Sequence, residues 1–562
     1  QGYGDLGCHG NQIIKTPGLD DFYENSIRFT NFHVNPTCAP SRASLMTGRY
    51  ADRTNAFHTI AGRSQLFEDE TVLARIFAGN GYATGLFGKW HLGDNYPFRP
   101  EDRGFQEVVR HGGGGITQGP DYWGNDYFND TYWHNGKSRK YQGYCTDVFF
   151  SEALKFIEAN KNRPFFCYIS TNAPHNPLHV PEKYYNLYRN EGSILDNQKR
   201  FYGMITNIDD NFQRLENRLD ELEIKGNTIL IFMTDNGTAT GIVNKDGEKY
   251  GYDGGMRGKK GSEYEGGHRV PFFIRWPEGK IQGGRDIHEL AAHIDVLPTL
   301  VELCDLNFSP AKPIDGTSLV PLIVRENNHW ENRILIVDSQ RKQNLVKWRR
   351  SAVMDEDWRL INGQELYNIE QDRKQSMNVA SKHPEVVTRL KAAYDQWWES
   401  LMKEQVNERY SYIKVGTPHE NPVRISSHDM HTGFLGRAWH QYGALRAQQA
   451  HGIFKVEFTH AGRYKISLRR YPRSSGHSFN EDIPTREMTQ EVNDPMPASK
   501  QVNLVEASLY VAGIKETKPI QGLAEEVVFE AEIPRGKFDM EVILRDERGR
   551  VYPSYYTYIE KL

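Results

Sequence analysis

The 562-residue sequence predicts a three-part chain: an α/β unit with a mostly parallel central sheet flanked by helices over residues 1–325, a smaller α+β unit over 326–405, and a β-sandwich over 406–562. Three observations predict it. Up to about residue 310, helical patterns alternate with short apolar runs, as strands and crossover helices do in a parallel sheet. After "DGTSLVPLI" (315–323) the text turns charged and carries two strand-like runs and an amphipathic helix. Beyond 406 there is no long helix, and alternating polar and apolar runs recur between Gly/Pro turns.

Strands are expected at 82–88 ("YATGLFG"), 164–171 ("PFFCYIST"), 228–235 ("TILIFMTD") and 271–277 ("PFFIRWP"), short apolar runs closed by turn residues. Helices are expected at 17–26, 71–79, 147–160, 198–222 and 287–304, the last kinked or split by Pro298, which lacks an N–H and crowds the preceding turn. In the second unit "ILIVDSQ" and "SAVMDEDWRLI" read as strands and 384–404 as a helix. In the third, "GIFKVEFTHAGRYKISLRRY", "LVEASLYVAG" and "EEVVFEAEIP" read as strands of a module that binds glycan or simply packs. The aromatic stretch 121–136, "DYWGNDYFNDTYWHNG", is too polar and too rich in Gly and Asn for a core strand. It reads either as the wall of a sugar or aryl pocket, with Tyr122 and Trp123 touching substrate, or as a loop packed on its own rings.

Composition excludes several classes. Charged residues make up 25% with a net of −4, so no basic field for nucleic acid is present, and no apolar run approaches a membrane span. The five cysteines, Cys8, Cys38, Cys145, Cys167 and Cys304, are odd in number, widely spaced and without CxxC, which argues against a disulfide framework and a zinc cluster. The opening QGYGDLGCHG shows no export leader, so one is expected to be absent or removed.

In open α/β sheets ligands gather beyond the carboxyl ends of the strands. After 82–88 come Lys89 and His91, which share one face if the strand continues; after 164–171 comes "NAPH" with His175; after 228–235 come Asp235 and Asn236, oxygen ligands that suit a hard cation such as Ca²⁺ or make an ordinary turn. Cys38 precedes a helix expected to begin at Pro40, whose free N–H groups and dipole favour an anion, and Arg42 adds a fork of donors. On these residues alone a cysteine nucleophile with a lowered pKa is an open alternative.

"CAPSRASLMTGR" (38–49) resembles the sulfatase signature C-x-P-S-R followed by T-G-R, and "GKWHLG" (88–93), "NAPH" (172–175), "TDNG" (234–237) and "KGSEYEGGHRVPF" (260–272) are similar to the remaining sulfatase motifs in the same order. The resemblance to type I, formylglycine-dependent sulfatases covers roughly residues 1–400 and implies the alkaline-phosphatase-like fold. It implies that Cys38 is oxidised by a separate formylglycine-generating or maturase enzyme to Cα-formylglycine, whose hydrate attacks sulfur, displaces the alcohol and then expels sulfate. It implies one Ca²⁺ on Asp235, Asn236 and the modified Cys38. By the same resemblance Arg42, Lys89 and Lys260 offset charge, His175 protonates the leaving oxygen, and His91 assists elimination. Lys260 is preferred to Lys259 because it stands five residues before Glu265 of "EGG". His33 and His179 are expected to be packing or rim residues. The family carries two metal-binding aspartates just before the position of Gln1; from the chain as given, weak calcium affinity and impaired activity are expected.

The expected activity is sulfuric ester hydrolysis, on a sulfated carbohydrate more than an aryl sulfate, by an exported protein. The alternatives are a phosphonate or phosphate monoester hydrolase of the same superfamily and a catalytically weak sulfoglycan-binding protein.

Overall fold

A computed structural model describes residues 1–324, 330–432, 436–487 and 491–562. The expected boundary between 325 and 326 lies outside the described residues.

The first unit is built on two larger sheets, beside which Ile242–Lys245 pairs with Glu248–Gly251 and Ala291–Ala292 with Phe32–His33. The strands of the larger two are β1 (Ile27–Phe29), β2 (Ala83–Gly88), β3 (Glu107–Arg110), β4 (Thr131–His134), β5 (Lys137–Lys140), β6 (Phe165–Ser170), β7 (Leu230–Met233), β8 (Phe272–Arg275) and β9 (Arg285–Ile287). One sheet runs β5-β4-β3-β2-β6 and the other β9-β1-β8-β7. The helices are α1 (Pro17–Glu24), α2 (Cys38–Thr47), α3 (Leu73–Gly79), α4 (Cys145–Asn160), α5 (Asp196–Glu221) and α6 (Val296–Leu303).

The period-2 alternation of the strands divides two cores. Leu86 and Val108 turn to one face and pack with Ala43 and Met46 of α2, Ile76 and Phe77 of α3 and Leu297 of α6. Phe87 and Val109 turn to the other and pack with Phe149 and Phe156 of α4 and Met204, Ile208 and Leu215 of α5. Helices therefore cover both faces of β2 and β3. In α5 the buried residues Phe201, Met204, Ile205, Ile208, Phe212, Leu215 and Leu219 recur at helical spacing.

The sheets are mixed where a mostly parallel sheet was expected. β2 runs parallel to β3 and β6, and β1 to β9, but β8 is antiparallel to both β1 and β7, and β4-β5 is an antiparallel hairpin. The physical reason is the connections: no long crossover helix lies between β7 and β8, and a parallel return needs one. The hairpin also places 131–134 of the aromatic stretch in a strand. The expected helix 287–304 shrinks to α6, preceded by β9 and a short turn, because Pro298 sits in the first helical turn where its missing N–H costs nothing.

Among the described residues β6 pairs only with β2, and β7 only with β8. Phe165 to Ile169 and Leu230 to Met233 are half-buried, whereas all of β2 is buried.

In the second unit four strands, β10 (Leu335–Asp338), β11 (Ser351–Met354), β12 (Trp358–Ile361) and β13 (Glu365–Asn368), form an antiparallel meander under the helix α7 (Pro384–Lys403). Leu390, Tyr394, Trp397 and Leu401 are the stripe α7 buries against it. The third unit stacks two sheets. Strands β14 (Ile413–Val415), β15 (Val423–Ser426), β16 (Gly452–Phe458), β17 (Gly462–Arg469), β18 (Leu504–Val511), β19 (Ile514–Pro519), β20 (Val527–Ile533), β21 (Gly536–Asp546) and β22 (Tyr556–Lys561) give the orders β14-β16-β21-β18-β19 and β15-β22-β17-β20. Val456, Leu509 and Val542 of one sheet meet Tyr464, Ile466, Phe529 and Ile559 of the other in one core. Among the described residues no helix is long and apolar enough to cross a membrane.

Candidate active site

The carboxyl ends of β2, β3 and β6 are level, since Gly88 pairs with both Arg110 and Ser170. The residues just past each strand are therefore delivered to one edge. Lys89 succeeds β2, with its N–H donating to Ser170 O at 2.6 Å, and its own carbonyl accepting from Arg42 Nη1 at 2.7 Å. Arg42 lies on α2, which starts from the extended Thr37 with Cys38 as its first residue and ends at Gly48 with φ 66°. The helix therefore starts two residues earlier than expected, with Pro40 inside its first turn.

Arg42 reaches across to Asp235, placing Nε 3.0 Å and Nη2 2.9 Å from Oδ2. Backbone bonds draw the remaining loops in: Lys260 N–H to Thr238 O at 3.0 Å, Gly261 N–H to Pro36 O at 2.8 Å, and Gly237 N–H to Gly267 O at 2.9 Å. Cys38, Arg42, Lys89, Asp235, Asn236 and Lys260 thus converge. Cys38 is 3% exposed, and although burial alone would raise its thiol pKa, Lys89, Lys260 and Arg42 hold it below the usual value. Burial lowers Lys89 to about 8 despite Cys38 and Asp235. Burial would raise the Asp235 carboxyl, but Arg42, Lys89 and Lys260 hold it far below its ordinary range, so it stays ionised.

The two histidines are oriented by carbonyls. His91 donates from Nε2 to Thr59 O at 2.8 Å, leaving Nδ1 as a buried acceptor with no protein partner. The strand does not continue to it: β2 stops at Gly88 and His91 has φ 62°, so the expected shared strand face with Lys89 is replaced by a turn. His175 donates from Nδ1 to Asn176 O at 2.8 Å, and the hydroxyl of Tyr127 fixes the His175 carbonyl at 2.5 Å. Burial, then Lys260 and Lys89, push the His175 pKa well below 6.5. An anion placed among those lysines would restore its proton.

"HGGGG" (111–115), directly after β3, went unread in the sequence. A side chain at Gly114 would meet the His91 ring at 2.1 Å, and one at Gly115 would meet His175 Nδ1 at 2.9 Å, so glycine here lets backbone close on both imidazoles. The signal was present: four glycines beyond the carboxyl end of a strand.

Trp123 is placed elsewhere than in the expected substrate role. Its half-buried ring packs 5.5 Å from Tyr471 and 6.3 Å from Tyr556, and the Tyr122 carbonyl accepts from Gln441 at 3.1 Å. The physical reason is that the β-rich unit docks on this loop. His179 is a packing residue, donating from Nδ1 to Asp126 O and accepting at Nε2 from the Asp494 N–H, both at 2.9 Å.

Two oxygens fit a hard cation in kind: the ionised carboxylate of Asp235 and the Oδ1 of Asn236, buried without a protein partner. A second cluster does not. His33, Glu265 and His268 bring ligand atoms within 4.8 Å of one another. But Arg359 Nε at 2.7 Å and Arg269 Nη1 at 3.2 Å already occupy the Glu265 carboxylate, and His33 Nδ1 lies 2.9 Å from His268 Nδ1. A cation there would face two guanidinium groups; the cluster is a buried ion network tying the first unit to β12.

A family model described as Sulfatase matches residues 1–306, and one described as N-sulphoglucosamine sulphohydrolase, C-terminal, matches 258–400. N-acetylgalactosamine-6-sulfatase of Sus scrofa is 31% identical over 352 residues, 58% of this chain and 64% of that protein. Human arylsulfatase A is 30% identical over 353 residues, 58% of this chain and 66% of that protein. The chain thus spans about 64% of the length of the first of these relatives. Among solved structures, Ps i-CgsB in complex with k-i-k-neocarrahexaose is similar with TM-score 0.62 and 28% identity, covering 70% of this chain and 90% of that one. The phosphonate monoester hydrolase of Agrobacterium radiobacter shares the fold with TM-score 0.52 and 20% identity, covering 72% of this chain and 94% of that one.

Proposed function

The chain belongs to the sulfatase family, and from that premise we propose that it hydrolyses sulfate monoesters of a carbohydrate. The observation that carries this is the convergence of Cys38, at the first turn of α2, with Arg42, Lys89, Lys260 and the Arg42–Asp235 pair. The relatives named for N-acetylgalactosamine-6-sulfate and the neocarrahexaose complex support a sugar substrate.

Arg42, Lys89 and Lys260 hold the sulfuryl oxygens and offset the charge that builds on them. His175, with Nδ1 committed to Asn176 O, offers Nε2 as the site of the proton given to the leaving oxygen. His91, with Nε2 committed to Thr59 O, offers Nδ1 as a proton acceptor beside them. Asp235 and Asn236 would hold calcium, and Cys38 is the residue we assign for conversion to formylglycine by a maturase. When present, these two groups supply a positive charge on the sulfate oxygens and a nucleophilic oxygen. Export belongs to the same reading, as does the division of the chain at 325 and 405.

The test pairs peptide mass analysis around Cys38 with sulfate release from defined sulfated glycans and with rates on aryl sulfate against aryl phosphate. Sulfate release together with an aldehyde at Cys38 is expected. A strong phosphate preference would turn the assignment to the phosphonate and phosphate hydrolases, and glycan binding without turnover would turn it to a sulfoglycan-binding protein.

A further inference from the structure

The β-rich unit reaches into this site. After β15 a short turn, Ser427–Asp429, is fixed to the first unit by the Ala61 N–H, which donates to His428 O at 2.9 Å. Gly119 allows the approach: a side chain there would lie 3.0 Å from Ser426 Oγ and 3.5 Å from His428 Cβ. His428 is 2% exposed. Its Nδ1 lies 2.9 Å from Asp429 Oδ1, so Nδ1 donates to the carboxylate and Nε2 is left buried with no partner among the described residues.

The ring sits 6.3 Å from that of His91 with the planes at 50°, and His91 Nδ1 is likewise unpartnered. Two neighbouring buried imidazoles each keep one nitrogen without a partner among the described residues, open to a group from outside the chain. The charge agrees. Burial alone would strip the proton from His428, but Asp429 and then Asp94 raise its pKa, so an anion brought to Nε2 meets a ring already biased towards the doubly protonated form that donates from both nitrogens.

We propose that His428 is a substrate-binding residue of the same active site, donating Nε2–H to an anionic oxygen of the sulfated ligand, with Asp429 as its positioning residue. The proposal deepens the sulfatase reading and rests on it. It makes the β-rich unit part of the site, supplying a donor on the His91 side that α2 and the strand ends do not.

The test uses the full chain with calcium and measures binding of inorganic sulfate and of N-acetylgalactosamine 6-sulfate by calorimetry, alongside sulfate release and thermal melts. His428→Ala is expected to weaken binding at least tenfold with the melting temperature retained. His428→Gln, which keeps an N–H donor, is expected to recover part of the loss, and Asp429→Asn to fall between. A loss for both probes assigns the contact to the sulfate being removed; a loss for the sugar alone moves the contact to an uncharged sugar oxygen and overturns the assignment to an anionic one. Unchanged binding of both probes in His428→Ala or His428→Gln overturns the proposal while wild-type sulfate release leaves the sulfatase reading standing. A wild-type chain that binds sulfated sugar without releasing sulfate overturns that reading, and the affinity of the variants then decides this one. A wild-type chain that neither binds nor releases overturns both.

Discussion

Two nitrogens of Arg42 grip one oxygen of Asp235 across 193 positions of sequence, Nε at 3.0 Å and Nη2 at 2.9 Å from Oδ2. Both donors fall on Oδ2, which leaves Oδ1 as the atom available to a cation. Arg42→Lys keeps the charge but has no planar fork. It is expected to lower kcat/KM on a sulfated sugar by about 10²–10³, read from initial rates, with Arg42→Ala lower still.

His175 distinguishes substrates by leaving group. Its Nε2 is assigned the proton that a sugar oxygen needs on departure and an activated phenol does not. His175→Ala is expected to cost about 10²–10⁴ in kcat on a sugar sulfate and far less on 4-nitrophenyl sulfate. An equal loss on both would remove the acid role.

Calcium is expected to stabilise the fold through Asp235 and Asn236. At a hundred times its dissociation constant a ligand that binds only the folded state adds about 2.7 kcal/mol, so the thermal midpoint should rise with calcium and fall with chelator. Asn236→Ala should abolish the calcium-dependent shift while the metal-free melt remains that of the wild type.

Acid should destabilise the chain through buried histidines that the mechanism does not use. Burial holds His111 and His293 at about 3, and burial followed by Arg63 and Lys455 holds His431 at about 3, against 6.5 unfolded. The native state refuses protons that the unfolded state takes up, so stability is complete above pH 6.5 and declines as pH falls towards 3. His428, whose pKa is raised, acts in the opposite sense. The unfolding free energy from urea titrations should fall by about 1 kcal/mol or more per histidine between pH 7 and 5.

Glu265 is held by Arg359 and Arg269 deep in the interior. Glu265→Gln leaves two buried guanidinium groups uncompensated, which is expected to cost about 3–5 kcal/mol in chemical denaturation. Zinc should not raise the melting temperature of the wild-type chain, because those guanidiniums already hold the carboxylate.

The convergence was legible where a strand ended in an unusual polar residue. Lys89, His175 and Asp235 were each found by looking past a strand, and CAPSR by its helix start and its resemblance. His428 was not legible, because its partners His91 and Ala61 lie more than three hundred positions away and nothing local distinguishes "SSHDM" from a turn. HGGGG was overlooked because glycines carry no chemistry of their own; their meaning is the closeness of backbone to His91 and His175. Trp123 misled for the reverse reason, since an aromatic in a polar loop looks like a sugar platform until Tyr471 and Tyr556 arrive from another unit. The antiparallel course of β8 depends on connection length and pairing, which hydrophobic runs do not encode.

β6 and β7, each paired on one side alone among the described residues, carry Phe165, Phe166, Tyr168, Ile231 and Phe232 half-open to solvent. Bare amide edges on strands this apolar are templates: any extended apolar segment, from a second copy or from an unfolding neighbour, can hydrogen-bond along them and bury rings as it does so. A short extended apolar peptide is therefore expected to bind along such an edge and cover those rings.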